Sequence, residues 1–361
     1  MKNKLSYSSV TKYQTCGKAY EFHYIKKLRP NVSSANLFLG SALDTGLNSL
    51  LLNDGKDPYE VFSKAWQLGF INKKPIQIKD SLQVVYAKTD FDVEILHPND
   101  KLEIETYYSK LSLPDDYIGN SYDFVFTRKA QGTFIRFTDE EQKLYNFCNW
   151  VCLKRKGFLI IDAYKKEVIP RIKRVISVQK QVDFNNDSGD SITGYIDFIA
   201  EMDDGKVYVL DNKSAGRPYE LDSAAHSPQL ALYAHHEGIE NAGFIVFIKA
   251  IKKDKIRTCI RCGEITDSNR IKTCNKTLGT KRCDGTLDDV IAPRAEIQII
   301  LDKINPNLIG MVMENFEMVN TLVQQGIFLK NLNSCQNTYG SRCPYYGQCF
   351  NNSNKGLEVV D

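Results

Sequence analysis

Residues 191–215 read SITGYIDFIAEMDDGKVYVLDNKSA, two runs rich in Ile, Val, Tyr and Phe joined by Asp203, Asp204 and Gly205. The β-branched and aromatic content marks both runs as strands, and the polar joint marks a hairpin. A three-residue loop with Gly205 in the left-handed position sets Met202 opposite Lys206. Counting back along both strands, Asp197 faces Asp211. Side chains alternate, so Lys213 shares the face of Asp211 while Asn212 points away. Two carboxylates and one ammonium converge on one patch of sheet.

Like charges opposite one another destabilise a strand pair, and burial raises the cost. A hard divalent cation such as Mg2+ between the carboxylates turns repulsion into attraction. Lys213 then orients or deprotonates a water on that ion. The plainer alternative is a solvated hairpin face with Lys213 paired to Asp211.

Working outward, Gly157–Val175 predicts a helix interrupted by Pro170, and Ile176–Phe184 a strand leading into the hairpin. After the hairpin, Ser227 is a good N-cap with Pro228 at the first helical position and Gly238 as terminator. Gln229 and Tyr233 lie four apart on that helix and project from one side. Residues 243–251 predict a further buried strand, and 308–327 a long closing helix. Upstream, 5–28 and 37–52 read as helices. Asp44 is an unusual carboxyl on the very apolar second one. Segments 59–70, 100–111 and 140–153 also carry helical spacing, with Cys148 and Cys152 on one face as packing. Strands with flanking helices give a mixed α/β (α+β) fold.

The 361 residues allow one large domain with insertions or two modest ones, at 42% hydrophobic and 25% charged. A formal charge of +3 neither demands nor excludes a nucleic-acid partner, so any basic surface is local, as at Lys26, Lys27 and Arg29 or at Lys252, Lys253, Lys255 and Arg257. No apolar run approaches the roughly 20 residues of a membrane span, and no signal-peptide core is present. An intracellular setting is expected, in which ten clustered cysteines point to metal ligands over disulfides. Cys259 and Cys262 have knuckle spacing, and Cys274 and Cys283 complete four ligands for a structural Zn2+ in a segment too polar to fold around a core, the alternative being free surface thiols. Cys335, Cys343 and Cys349 need a fourth thiol, and Cys16 is the spare candidate for an iron–sulfur cluster or zinc.

Taken together, Gly194-Tyr195-Ile196-Asp197, Asp211-Asn212-Lys213, and Gln229 with Tyr233 resemble the GxxD, (D/E)xK and QxxxY motifs of the RecB-like branch of the PD-(D/E)XK nucleases. The opening LSYSSVTKYQTCGKAYEFHY and the ending CPYYGQC are similar to that branch's terminal segments. The resemblance implies a restriction-endonuclease-like mixed sheet flanked by helices. The core then spans 156–251 and 292–330, with N-terminal helices at 1–52, a mostly helical arm at 53–155, a zinc-ribbon-like insertion at 252–291 and a cysteine segment at 331–361.

It implies a metal-dependent DNA nuclease, an exonuclease or end-processing enzyme of recombination, repair or phage replication. Asp197 and Asp211, with the Asn212 carbonyl, hold Mg2+ or Mn2+; Lys213 activates water; Gln229 and Tyr233 support the site or the DNA. Cys16, Cys335, Cys343 and Cys349 bind a 4Fe–4S cluster. The chain departs from the family in carrying Asp44 where a His is frequent and Gly17 where Pro usually follows Cys. Seven residues separate Cys335 from Cys343, against a more common CxxC. No GxxxxGK[ST] motor motif occurs, so a helicase or recombination partner would be a separate chain. The alternative is a catalytically silent DNA-binding or scaffold protein on the same fold.

Overall fold

Burying both faces of the hairpin takes two layers of helix, and the computed structural model supplies them. The structure describes residues 4–30, 33–71, 76–77, 82–85, 125–128, 153–154, 156–186, 188–266, 273–279, 281–336 and 342–360. The N-terminal helices are α1 (Tyr7–Thr15), α2 (Gly17–Tyr20), α3 (Ala35–Leu52) and α4 (Pro58–Ile71). The core runs β1 (Ile172–Asn185), β2 (Ser191–Met202), β3 (Val207–Ala215), α5 (Pro228–Glu237), β4 (Asn241–Cys259), β5 (Leu287–Lys303) and α6 (Leu308–Gln324).

The five long strands lie in the order β5-β4-β3-β2-β1, antiparallel except for the parallel pair β3–β4. That parallel pair is joined through α5, the crossover connection parallel strands require. The hairpin loop takes the expected form: Gly205 has φ +81°, and Met202 N–H donates to Lys206 O at 2.9 Å. Phe198 pairs with Leu210 and Glu201 with Val207, a register whose next step sets Asp197 against Asp211.

One face of the sheet packs Phe198, Ala200, Leu210 and Phe247 against α3, α4 and a helical segment at 156–171 that contributes Ile160 and Tyr164. The other packs Val209, Phe244 and Val246 against α1, α5 and α6. Strand β3 is buried without a break from Tyr208 to Asp211, as a central strand covered on both faces must be.

Several sequence expectations change. The helix predicted over 5–28 breaks at Cys16, whose φ of −167° is extended. A π-helical turn at Glu21–Ile25 and a short strand at Leu28–Pro30 follow α2. The break lets Leu329 backbone press on Gly17, where a Cβ would fall 2.8 Å from Leu329 N. The helix expected over 157–175 ends at Arg171, and strand begins at Ile172, because Pro170 stops the ladder of helix bonds.

The 252–291 segment is no independent insertion at its margins. β4 and β5 stay paired from Asn241–Lys303 to Cys259–Leu287, so the cysteine loops cap a long two-stranded ribbon. The run Lys252–Arg257 gave no apolar alternation to announce a strand, yet its backbone pairs with residues 289–294. In 53–155, α4 matches its prediction, and Leu82–Val85 pairs with Val125–Arg128 as strands. Helix 100–111, Cys148, Cys152 and all of helix 140–153 but Leu153 fall outside the described residues.

Phe198 is fully buried at the centre of the sheet. Phe198→Ala should cost about 3–5 kcal/mol in urea unfolding; a loss under about 1 kcal/mol would mean the core lies elsewhere.

Candidate active site

The hairpin register, the β3–α5 crossover and one turn of α3 bring the predicted residues together. Lys213 Nζ lies 2.6 Å from Asp211 Oδ2, and it donates to Gln229 Oε1 at 3.1 Å. Asp197 Oδ2 accepts from the backbone N–H of Asn212 at 2.8 Å, which fixes its carboxyl beside β3. Asp44 stands on α3 close enough for its charge to act on Asp197. The Asn212 side chain lies on the other face, toward the fully buried Tyr164.

Tyr233 explains the glycine of the first motif. A Cβ at Gly194 would fall 2.6 Å from Tyr233 Oη, so only glycine lets α5 seat its tyrosine on β2. The α5 start is set by Ser227, whose Oγ accepts from Leu230 N–H at 3.3 Å, and its end by Gly238 at φ +66°. That cap aims the first-turn Gln229 at Lys213.

The electrostatics follow from burial. Asp44 is raised to about 7 by burial first, then by Asp211, with Lys213 opposing. Asp197 is raised to about 7 by burial, then by Asp211 and Asp44. Burial also raises Asp211, against the pull of Lys213. Burial alone would lower Lys213, but Asp211 and Asp197 outweigh it and keep it an ammonium. Asp211 Oδ2 is buried without a hydrogen-bond partner despite the nearby ammonium, so the contact is an ion pair lacking hydrogen-bond alignment. Asp197 and Asp211, both resisting ionisation and one with an oxygen lacking a hydrogen bond, are a donor pair that a hard cation satisfies; Asp44 acts on that pair through its charge from α3.

Lys213, Gln229, Tyr233 and Gly194 sit in the wall of an open groove of about 1180 Å3 that runs past α1 to Arg342 and Cys343. Tyr164 and the groove residues of α1 were not singled out from the sequence. A tyrosine in an apolar helix and hydroxyls on a polar one carry no distinguishing signal.

The two cysteine groups differ in geometry. Cys259 and Cys283 sulfurs are 3.7 Å apart, Cys262 and Cys274 3.6 Å. A tetrahedron of zinc–sulfur bonds near 2.3 Å separates its corners by about 3.8 Å. A Cβ at Gly285 would lie 2.6 Å from Cys259 Sγ, so the knuckle needs glycine there. Among the described residues, these four cysteines are the set of three or more Cys, His, Asp or Glu whose ligand atoms all lie within 4.8 Å of one another. Cys16, Cys335, Cys343 and Cys349 line one small cavity of about 20 Å3 in a more open arrangement. Asn331 N–H reaches Cys16 Sγ at 3.5 Å, and Cys343 N–H donates to Cys335 O at 2.8 Å.

Residues 153–238 match the PD-(D/E)XK nuclease superfamily. The chain therefore carries a PD-(D/E)XK nuclease superfamily domain, and its mixed sheet between helices is restriction-endonuclease-like. The matched segment contains Asp197, Asp211, Lys213, Gln229 and Tyr233; α1, α3 and both cysteine groups lie outside it. A solved structure titled "Crystal structure of SSO0001" aligns at 12% identity over 71% of this chain and 83% of that chain, with a TM-score of 0.24. Comparison with curated proteins finds no match.

The raised carboxyls set a pH dependence. Asp44 and Asp197 keep protons in the fold to about 7 that the unfolded chain releases near 4. In metal-free protein these two carboxyls therefore contribute stability that is full below about pH 4 and is lost as pH rises to about 7. Mg2+ should raise the melting temperature little at pH 5 and clearly at pH 8, because it displaces those protons. A Mg2+ effect that does not grow with pH would refute the assignment of these carboxyls to the ion.

Proposed function

We propose that the chain is a metal-dependent deoxyribonuclease, working on DNA ends in recombination, repair or phage replication. The observation that carries the reading is Lys213 held between Asp211 and Gln229, beside Asp197, in the wall of an open groove of about 1180 Å3. Nuclease chemistry belongs to the superfamily of the matched domain; the DNA-end role and the residue assignments are our inference.

Asp197 and Asp211 would hold Mg2+ or Mn2+, with the Asn212 carbonyl, and Asp44 on α3 would add its charge to the site. When bound, such an ion lowers the pKa of a water and offsets charge developing on the phosphate. Lys213 is an ammonium in this setting, so it acts as a donor, orienting the incoming water and meeting the phosphoryl oxygens. Gln229 fixes the ammonium, and Tyr233 packs Gly194 so that β2 presents Asp197. Water adds to phosphorus and the bond to the 3′ oxygen breaks, leaving a 5′-phosphate and a 3′-hydroxyl.

The knuckle Cys259, Cys262, Cys274 and Cys283 is best suited to one Zn2+, given its sulfur spacing. The more open set of Cys16, Cys335, Cys343 and Cys349 suits a 4Fe–4S cluster, which spreads its thiolates farther than a single ion does.

Lys213→Ala and Asp211→Asn should each reduce cleavage of end-labelled DNA by at least about a hundredfold while DNA binding persists. Undiminished cleavage would remove the residue from the mechanism. Degradation of linear but not closed circular DNA is the expected pattern, and equal rates on both would replace end-processing by internal cleavage.

Anaerobically prepared protein should be brown and carry about four irons and one zinc per chain. Cys343→Ser should remove the iron alone. Colourless, iron-free wild type would overturn the cluster, and absence of zinc would overturn the knuckle.

A further inference from the structure

The groove that contains Lys213 is lined, among the described residues, by three cations, Lys12, Lys213 and Arg342, and by no carboxylate. Lys213 already has Asp211. Arg342 is exposed and lays its guanidinium over the Tyr346 ring at 5.3 Å. Lys12 is the anomaly: half-buried, it makes no ion pair among the described residues. Burial lowers its pKa, Arg29 adds to the fall, and the thiol of Cys343 alone opposes it. Arg29 stands opposite Glu358 in the strand pair of Leu28–Pro30; Lys12 is paired with no carboxylate among the described residues. A half-buried ammonium whose one opposing charge is a thiolate engaged in the cysteine set gains from an anion in the groove.

The surroundings suit one kind of anion. Ser8, Thr11 and Thr15 stand at three- and four-residue spacing on the face of α1 that lines the groove with Lys12. Hydroxyls and ammonium groups in a row are the donors that contact nucleic-acid phosphates. Across from them the groove presents Tyr24 and Tyr195, the latter 56% exposed, aromatic surface on which bases or sugars can rest.

We infer that Lys12 is a phosphate-binding residue for a nucleic-acid strand lying along α1, at a position separate from the acidic centre. The inference rests on the nuclease reading for the identity of the strand. It adds a contact outside the segment matched to the superfamily, on an element that reaches the sheet through the Leu5–Ile192 bridge.

The test uses the full chain with no added divalent cation and labelled single-stranded and duplex oligonucleotides, with binding measured across a salt series. Lys12→Gln should weaken binding severalfold at low salt and lower the slope of log K against log salt by about 0.7 for single strands or 0.9 for duplex. Lys12→Arg should keep the wild-type slope. Unchanged binding at every salt, or loss of affinity at unchanged slope, would overturn the inference. Where Lys12→Gln fails to fold, Arg342→Gln takes its place with the same expected drop, and a retained slope is again fatal.

Calorimetry with inorganic phosphate alone separates the sources: tight binding abolished by Lys12→Gln would assign the site to a free anion and overturn the strand reading. Cleavage with Mg2+, assayed in parallel, keeps the two claims apart. A protein that cleaves DNA but binds it independently of Lys12 sinks only this inference, and one that binds through Lys12 without cleaving sinks only the nuclease.

Discussion

The register of one hairpin governs the rest of the molecule. Gly205 at φ +81° closes the loop, and every pair from Glu201–Val207 to Phe198–Leu210 follows from it. A slip of one residue would carry Asp211 and Lys213 to the face now filled by Phe198 and Leu210 and push those apolar groups to the other. The register is defended by burial on both sides, not by the loop alone. Phe198, Ala200 and Leu210 are each fully buried against α3 and its neighbours, while Ile199 and Val209 are buried on the α5–α6 side.

That defence is what allows so unfavourable a group of charges to persist. The apolar layers that hold the strands in place are the same layers that strip water from Asp44, Asp197 and Asp211. Core packing and the raised proton affinity of these carboxyls therefore share a cause. The surroundings are tight at several points, with Gly194 under Tyr233, Gly285 under Cys259 and Gly17 under Leu329. Each glycine marks a place where two segments distant in sequence meet at backbone distance.

Local pattern carried much of this in the sequence. The hairpin, its loop and the facing of Asp197 and Asp211 follow from alternation and a single glycine. The helix Pro228–Glu237 follows from Ser227, Pro228 and Gly238. The four knuckle cysteines follow from spacing. What stayed hidden depends on contact or on backbone pairing without apolar alternation. The polar strand around Lys252–Arg257 looks like loop because it carries no apolar alternation and is fixed by pairing with residues 289–294, distant in sequence. The break at Cys16 reads as helix because nothing in QTCGKAY announces the approach of residues 328–329. Lys12 is invisible as a solitary cation until the fold shows that no carboxylate among the described residues pairs with it or lines its groove.

The groove is a joint product of remote stretches. Thr11, Lys12 and Cys16 form one wall, and Ser334, Cys343 and Tyr345 form another; Leu28–Pro30 pairs with Leu357–Val359 beneath them. Domains assemble from their N-terminal side during translation, so the ribosome must release some three hundred further residues before the first wall meets its counterpart. A nascent chain can thus have its sheet and carboxyls in place while one lining of the groove is still unmade, so the order of synthesis itself sets which part of the surface forms last.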